Sequence, residues 1–231
     1  RRRFLNLLLA QSDPLYVHHL SRFLAALKER SYLLKKGSQQ NLEIYEAELS
    51  SAASYITLKR GRLIDQLKEP FEQILSQISP AQEKYQLRYV PSITFNPDPK
   101  IMQAEYQKNL ERLRPKDLQF KTTQVGPHHD DFIFYLDQKI ARNFASEGQK
   151  RTLASALRLA EYSHLSQRTG LNALLNIDDL GAHLDKNREK LLQNLLKNFK
   201  QVFITTPSVP ESFQSEKEMA VLKIENGRLI S

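Results

Sequence analysis

Residues 171–177, LNALLNI, form a largely apolar run that stops on two adjacent carboxylates, Asp178 and Asp179. A second apolar run, QVFITT, fills 201–206, and the stretch between them, DKNREKLLQNLLKNFK (185–200), has helical periodicity. Few folds satisfy this order. A continuous apolar run reads as a strand covered on both faces. Two such strands joined through a helix pair in parallel, because a parallel pair needs a crossover connection. The region is therefore predicted as a βαβ unit with buried strands. The acid pair is a separate constraint: neighbouring charges repel, and burying either one is costly without compensation. A bound cation, a general-base role or a plain exposed turn would each satisfy it.

The rest of the chain has a different texture. Residues 1–113 read as mostly helical. Ser12-Asp13-Pro14 has the form of a helix start, a capping side chain before a proline in the first turn. Leu20, Phe23, Leu24, Leu27 and Leu34 follow at helical spacing, and Gly37-Ser38 breaks the pattern. Leu42, Leu49, Ile56 and Leu63 then recur every seventh residue, with Tyr45 and Ala52 in the alternate seam and Pro70 at the next position. That pattern predicts a helical hairpin packed on something else. YQLRYV (85–90) alternates as a strand, PSITFNPDP is a loop, and a helix from residue 100 is expected to end by Pro115. From about residue 119 the reading is strand QFKTTQV, turn GPHHDD, and a hairpin of FIFYLD and KIARNF. An amphipathic helix over 148–167 comes next, with Leu153, Leu157, Ala160 and His164 or Leu165 on one face. A terminal hairpin turns at Asn226-Gly227, after a polar loop, SVPESFQSEKEM. The fold class is thus α/β within an α+β chain, with a helical arm over 1–117 and a second domain over 118–231.

Composition narrows the partners. The 231 residues carry 34 Lys and Arg against 26 Asp and Glu, a net charge of +8, which suits an acidic partner such as nucleic acid. No apolar run reaches the roughly 18 residues that span a bilayer, so no membrane association is expected. With no Cys, disulfides and thiolate metal sites are excluded.

Three clusters could carry chemistry. At the end of an apolar strand, Asp178 is placed where α/β sheets bind ligands and could hold Mg²⁺, with Asp179 orienting or deprotonating water. In FASEGQKR (144–151), Ser146 and Gly148 precede a helix whose free N–H groups suit phosphate. The same residues also fit an ordinary capping box, Ser146 with Gln149. GPHHDD (126–131) offers two His and two Asp, but alternating side chains on a turn-to-strand path do not converge easily on one ion.

Taken in order, FASEGQKRTLASALRLAE, LLNIDDLGAHLDKNR and QVFITT resemble the ATP-binding-cassette ATPases, in the branch that includes Rad50 and the structural-maintenance-of-chromosomes proteins. Within that branch the chain, with RRRFLN and GPHHDDF, is similar to a bacterial DNA replication and repair ATPase. The resemblance implies that Ser146, Gly148 and Gln149 form the signature that meets the ATP of a second subunit. It makes Asp178 the Walker B magnesium acid and Asp179 the catalytic carboxylate. Asp185 closes the D-loop, and Thr205 or Thr206 takes the switch position. It implies ATP and Mg²⁺ as cofactors, an ATP-dependent homodimer, and binding to duplex DNA and single-strand/double-strand junctions. It further implies action with the recombination mediator RecR to load a recombinase in the cytoplasm. Alternatives are a scaffold of the same fold that no longer hydrolyses ATP, and a Mg-dependent phosphohydrolase built on the acid pair.

Several positions depart from the family pattern. Glu147 stands where Gln is usual, His129 where Arg is usual, and Ala182-His183 where Ser-Glu is usual. Asn176 interrupts the apolar strand. None of the seven glycines (37, 61, 126, 148, 170, 181 and 227) opens a G-K-[ST] phosphate loop. The chain is therefore expected to be the C-terminal two-thirds of such a protein, binding ATP weakly alone.

Overall fold

The computed structural model describes residues 1–79, 83–171, 174–178, 186–197, 199–209 and 219–230, with the side chains of 186–189 and 192 excepted. The chain divides into two compact units, Arg1–Ala173 and Leu174–Ser231. The texture change at 117/118 thus lies within the first unit.

The first unit is built around one long helix. α1 (Arg2–Ser12) and α2 (Pro14–Lys36) are separated by Asp13, whose side chain accepts the Leu15 and Tyr16 N–H groups with Pro14 in the first turn. α2 ends on Gly37 at φ 66, a left-handed conformation that costs glycine little. α3 (Leu42–Ile78) then returns as the second arm of the hairpin. Its heptad residues Leu42, Leu49, Ile56 and Leu63 are all buried. α3 packs against α1, α2, α4, α6 and β1. It continues through Pro70 because Phe71, Ile74, Leu75 and Ile78 extend its buried face another two turns. Packing there outweighs the lost hydrogen bond.

β1 (Tyr85–Val90) pairs antiparallel with β2 (Asp131–Leu136), from Tyr85 opposite Leu136 to Val90 opposite Asp131. α4 (Pro99–Phe120), which starts at the capping side chain of Asp98, lies between them in sequence. Three expectations change here. α4 runs through Pro115, which is exposed, so water can satisfy the carbonyl it leaves unpaired. QFKTTQV is not a strand: its first residues finish α4, and Lys121 at φ 54 turns the chain out of extended conformation. KIARNF forms only a two-residue strand, β3 (Lys139–Ile140), before α5 (Ala141–Phe144). Asp137 and Gln138, both at positive φ, make the β2–β3 turn. α6 (Glu147–Thr169) closes the unit, burying Leu153, Leu157, Ala160 and His164.

In the second unit, β4 (Leu175–Ile177) and β5 (Val202–Ile204) pair in parallel across α7 (Lys186–Leu196), as the βαβ order requires. Their burial differs from expectation. Leu175 and Ile177 are half-buried and Asn176 exposed, so β4 is not covered on both faces by the described residues. β6 (Lys223–Glu225) and β7 (Arg228–Ile230) form the terminal hairpin at Asn226-Gly227. The expected polar loop falls mostly outside the described residues.

Candidate nucleotide site and the buried GPHHD node

The parallel register sets the acid. Leu175, Asn176 and Ile177 face Val202, Phe203 and Ile204, and the Thr205 N–H continues the ladder to the Ile177 carbonyl at 2.9 Å. Asp178 and Thr205 are therefore the first residues past paired strand ends. The Thr205 hydroxyl donates to Asp178 Oδ1. Thr206 instead bonds to the Ser208 carbonyl at 2.6 Å. Of the two threonines named from sequence, Thr205 is the one at the acid. Asp178 is exposed and carries a hard carboxylate beside a hydroxyl, a donor set that fits Mg²⁺. Asp179, Asp185 and the GAHLD loop lie outside the described residues.

The signature residues open α6 in the first unit. Ser146 is the exposed N-cap. Its Oγ accepts the Gln149 N–H at 3.2 Å, and Gln149 Oε1 accepts the Ser146 N–H at 2.8 Å, a complete capping box. The cap and phosphate readings coexist, because the box leaves the first-turn N–H groups of Glu147 and Gly148 without helical partners. Glu147 is exposed and pairs with Lys150 at 2.8 Å, which lowers its pKa and offsets its charge.

GPHHDD serves another purpose. His128 and His129 both direct Nε2 at the Thr123 carbonyl, at 3.1 and 2.9 Å, which commits those nitrogens as donors. Asp130 is fully buried. Its carboxylate accepts from Tyr89, Thr57, Arg60 and the Ser92 N–H, the last at 2.8 Å. Arg60 also donates to the Pro127 carbonyl at 2.6 Å, Asn6 at 2.8 Å and Tyr16 at 3.0 Å. The motif thus joins α1, α2, α3, β1 and β2. No group of three or more His, Asp or Glu suited to a metal occurs among the described residues. Gly126 is needed for space: a Cβ there would lie 2.8 Å from His128 Nδ1.

Burial pulls the His128 pKa down to about 4, against the help of the Thr123 carbonyl. The unfolded chain takes up this proton near pH 6.5, so stability is expected to fall as pH drops from 6.5 towards 4. The share due to His128 is at most about 3 kcal/mol. Urea unfolding of the parent and His128→Gln at pH 7 and 4.5 checks this; equal pH dependence in both would refute it.

Sequence reasoning missed a second buried cluster. Arg30 pairs with Glu46 at 2.9 Å and Asp117 at 2.8 Å, all three fully buried, and Arg114 pairs with Glu46 at 2.5 Å. The signal was present: Arg30, Glu46 and Arg60 each fall on the apolar stripe of their helix, beside Leu34, Leu49 and Ile56. A charge on a core-facing stripe implies a buried partner.

No protein-family model matches the chain. Curated proteins called DNA replication and repair protein RecF do match along its length. That of Protochlamydia amoebophila (strain UWE25) is 35% identical over 229 residues, covering 98% of this chain and 64% of the relative. That of Rippkaea orientalis is 34% identical over 248 residues, covering 99% and 65%. The chain belongs to the RecF family. It spans just under two thirds of the length of these RecF relatives. Two solved structures, described as the recombination mediator protein RecF in the RecFOR pathway with ATPrS and with ATP, superpose with TM-scores of 0.82. Each is 28% identical, and they cover 99% and 100% of this chain and 62% of their own. The mixed helical and sheet architecture is therefore the ATP-binding-cassette-like fold of RecF.

Proposed function

We propose that this RecF-family chain supplies the signature and Walker B parts of an ATP-dependent DNA-binding protein of replication and repair. The observation that carries this is the exposed Asp178 at the end of β4, held by Thr205, in a chain matched along 98% of its length by RecF. Asp178 would hold Mg²⁺, which supplies charge neutralisation to the phosphates of ATP. By the family pattern Asp179 acts on water, Asp185 closes the D-loop and Thr205 reads the phosphate. Ser146, Gly148 and Gln149 serve the ATP of a second copy. In this reading residues 1–117 act as an arm and 118–231 as the ATPase lobe. The ATP-bound dimer holds duplex DNA near single-strand junctions in the cytoplasm and works with RecR to load a recombinase. Among the described residues, no helix is long and apolar enough to cross a membrane.

The charge distribution supports DNA as the partner. Lys108, Arg112 and Lys116 repeat every fourth residue on the exposed side of α4, and Lys121 follows its end. The full-length protein is expected to lose duplex affinity steeply with salt when ATP is present. Replacing Lys108, Arg112 and Lys116 together by Gln should reduce the log–log salt slope by about 3. Fluorescence anisotropy on a duplex with a single-strand gap, from low to moderate salt, measures both. A flat salt response would sink the DNA reading.

A further inference from the structure

Gln149 has one side-chain polar group not used by the capping box, Nε2, which donates to Glu83 Oε1 at 2.7 Å. The second oxygen of Glu83 accepts from the Tyr85 hydroxyl at 2.5 Å and from Ser79 Oγ. Tyr85 begins β1, and Ser79 is the C-cap of α3. One carboxylate therefore gathers the end of the 37-residue arm helix, the start of a strand and the start of the signature helix.

We infer that Glu83 is a positioning residue for the signature, tying Gln149, and through it Ser146, to the end of α3. The inference rests on the proposed role of the signature in the ATP dimer. An ionised carboxylate only accepts hydrogen bonds. It therefore selects which end of the Gln149 amide faces it: Nε2 turns to Glu83, and Oε1 turns to the Ser146 N–H. Both polar ends of Gln149 are then committed within the chain. The signature meets a phosphate with the Ser146 hydroxyl hydrogen and the N–H groups of Glu147 and Gly148. Gln149 sets their direction and is not itself a phosphate ligand. Any displacement of the end of α3 reaches the signature through this carboxylate.

The test uses full-length protein and the ATP concentration needed for half-maximal dimerisation, read by light scattering. Glu83→Ala is expected to raise that midpoint about tenfold, the worth of a charge-assisted hydrogen bond. Glu83→Gln, which still accepts from the Gln149 amide, should stay within about threefold of the parent. Gln149→Ala should match Glu83→Ala, and the double variant should be no worse than either. Unchanged dimerisation in Glu83→Ala, or effects that multiply in the double variant, would overturn the inference. Ser146→Ala runs alongside. If it impairs dimerisation and Glu83→Ala does not, only the role of Glu83 falls; if it has no effect, the signature reading falls and this inference with it. Should Glu83→Ala not fold, Gln149→Glu sets a carboxylate against Glu83 and is expected to dimerise more weakly than Gln149→Ala. Equal midpoints for those two variants would count against Glu83.

Discussion

Asp130→Ala is expected to destabilise the first unit by about 3–5 kcal/mol, the range for breaking a buried ion pair. The substitution removes the acceptor for Tyr89, Thr57 and the Ser92 N–H, all in one buried node. It also leaves the Arg60 guanidinium, only 2% exposed, without its anion. Asp130→Asn keeps the shape and some of the hydrogen bonds, so it should cost about 1–3 kcal/mol. The adjacent Asp131 gives the internal comparison. Its bridge to Arg1 at 2.6 Å is partly exposed on both sides, and Asp131→Ala should fall within about 1 kcal/mol of the parent. Chemical unfolding of the three variants decides the matter. Similar losses for Asp130→Ala and Asp131→Ala would show that the node does not carry the fold.

The second large effect belongs to the acid pair. In full-length protein, Asp178→Asn is expected to lower ATP hydrolysis by on the order of a hundredfold, through loss of the magnesium ligand. Asp179→Asn should slow hydrolysis comparably but let the ATP dimer form and persist, because only the step that releases it is blocked. Thr205→Val removes the hydroxyl on Asp178 and should cost roughly tenfold, the scale of a lost outer-shell hydrogen bond. Thr206→Val should behave as the parent, since its hydroxyl serves the Ser208 carbonyl. Steady-state hydrolysis and dimer lifetime after dilution separate these outcomes. An Asp179→Asn dimer that dissociates at the parental rate would remove that residue from the proposed mechanism.

What could be read in advance followed local periodicity. The α2–α3 hairpin, the α6 face, the parallel β4–β5 pair and the Asn226-Gly227 turn all rest on patterns within one or two elements. Misreadings arose where distant contacts outweighed local preference. Pro115 did not end α4, because Asp117 beyond it is anchored to Arg30 from another helix. QFKTTQV has strand-like residues, yet Arg30 holds Thr123 at 2.8 Å and Asp117 accepts the Gln124 N–H at 3.0 Å, keeping the segment folded on the end of α4.

The candidate site divides in the same way. The sequence by itself determined that an acid ends an apolar strand before a crossover helix, that a capping box opens an amphipathic helix, and that the whole order is that of a RecF chain. Those are properties of residue type and spacing along one direction. Only the tertiary structure decided that Thr205 rather than Thr206 reaches Asp178, that Asp130 is a core charge while Asp131 is a surface one, and that Glu83 holds Gln149. The first depends on strand register, the second on burial, and the third on a hydrogen bond between residues 66 apart in the chain. Register exchanges neighbouring side chains between faces with a one-residue shift, and burial turns an ordinary carboxylate into one that must be paired.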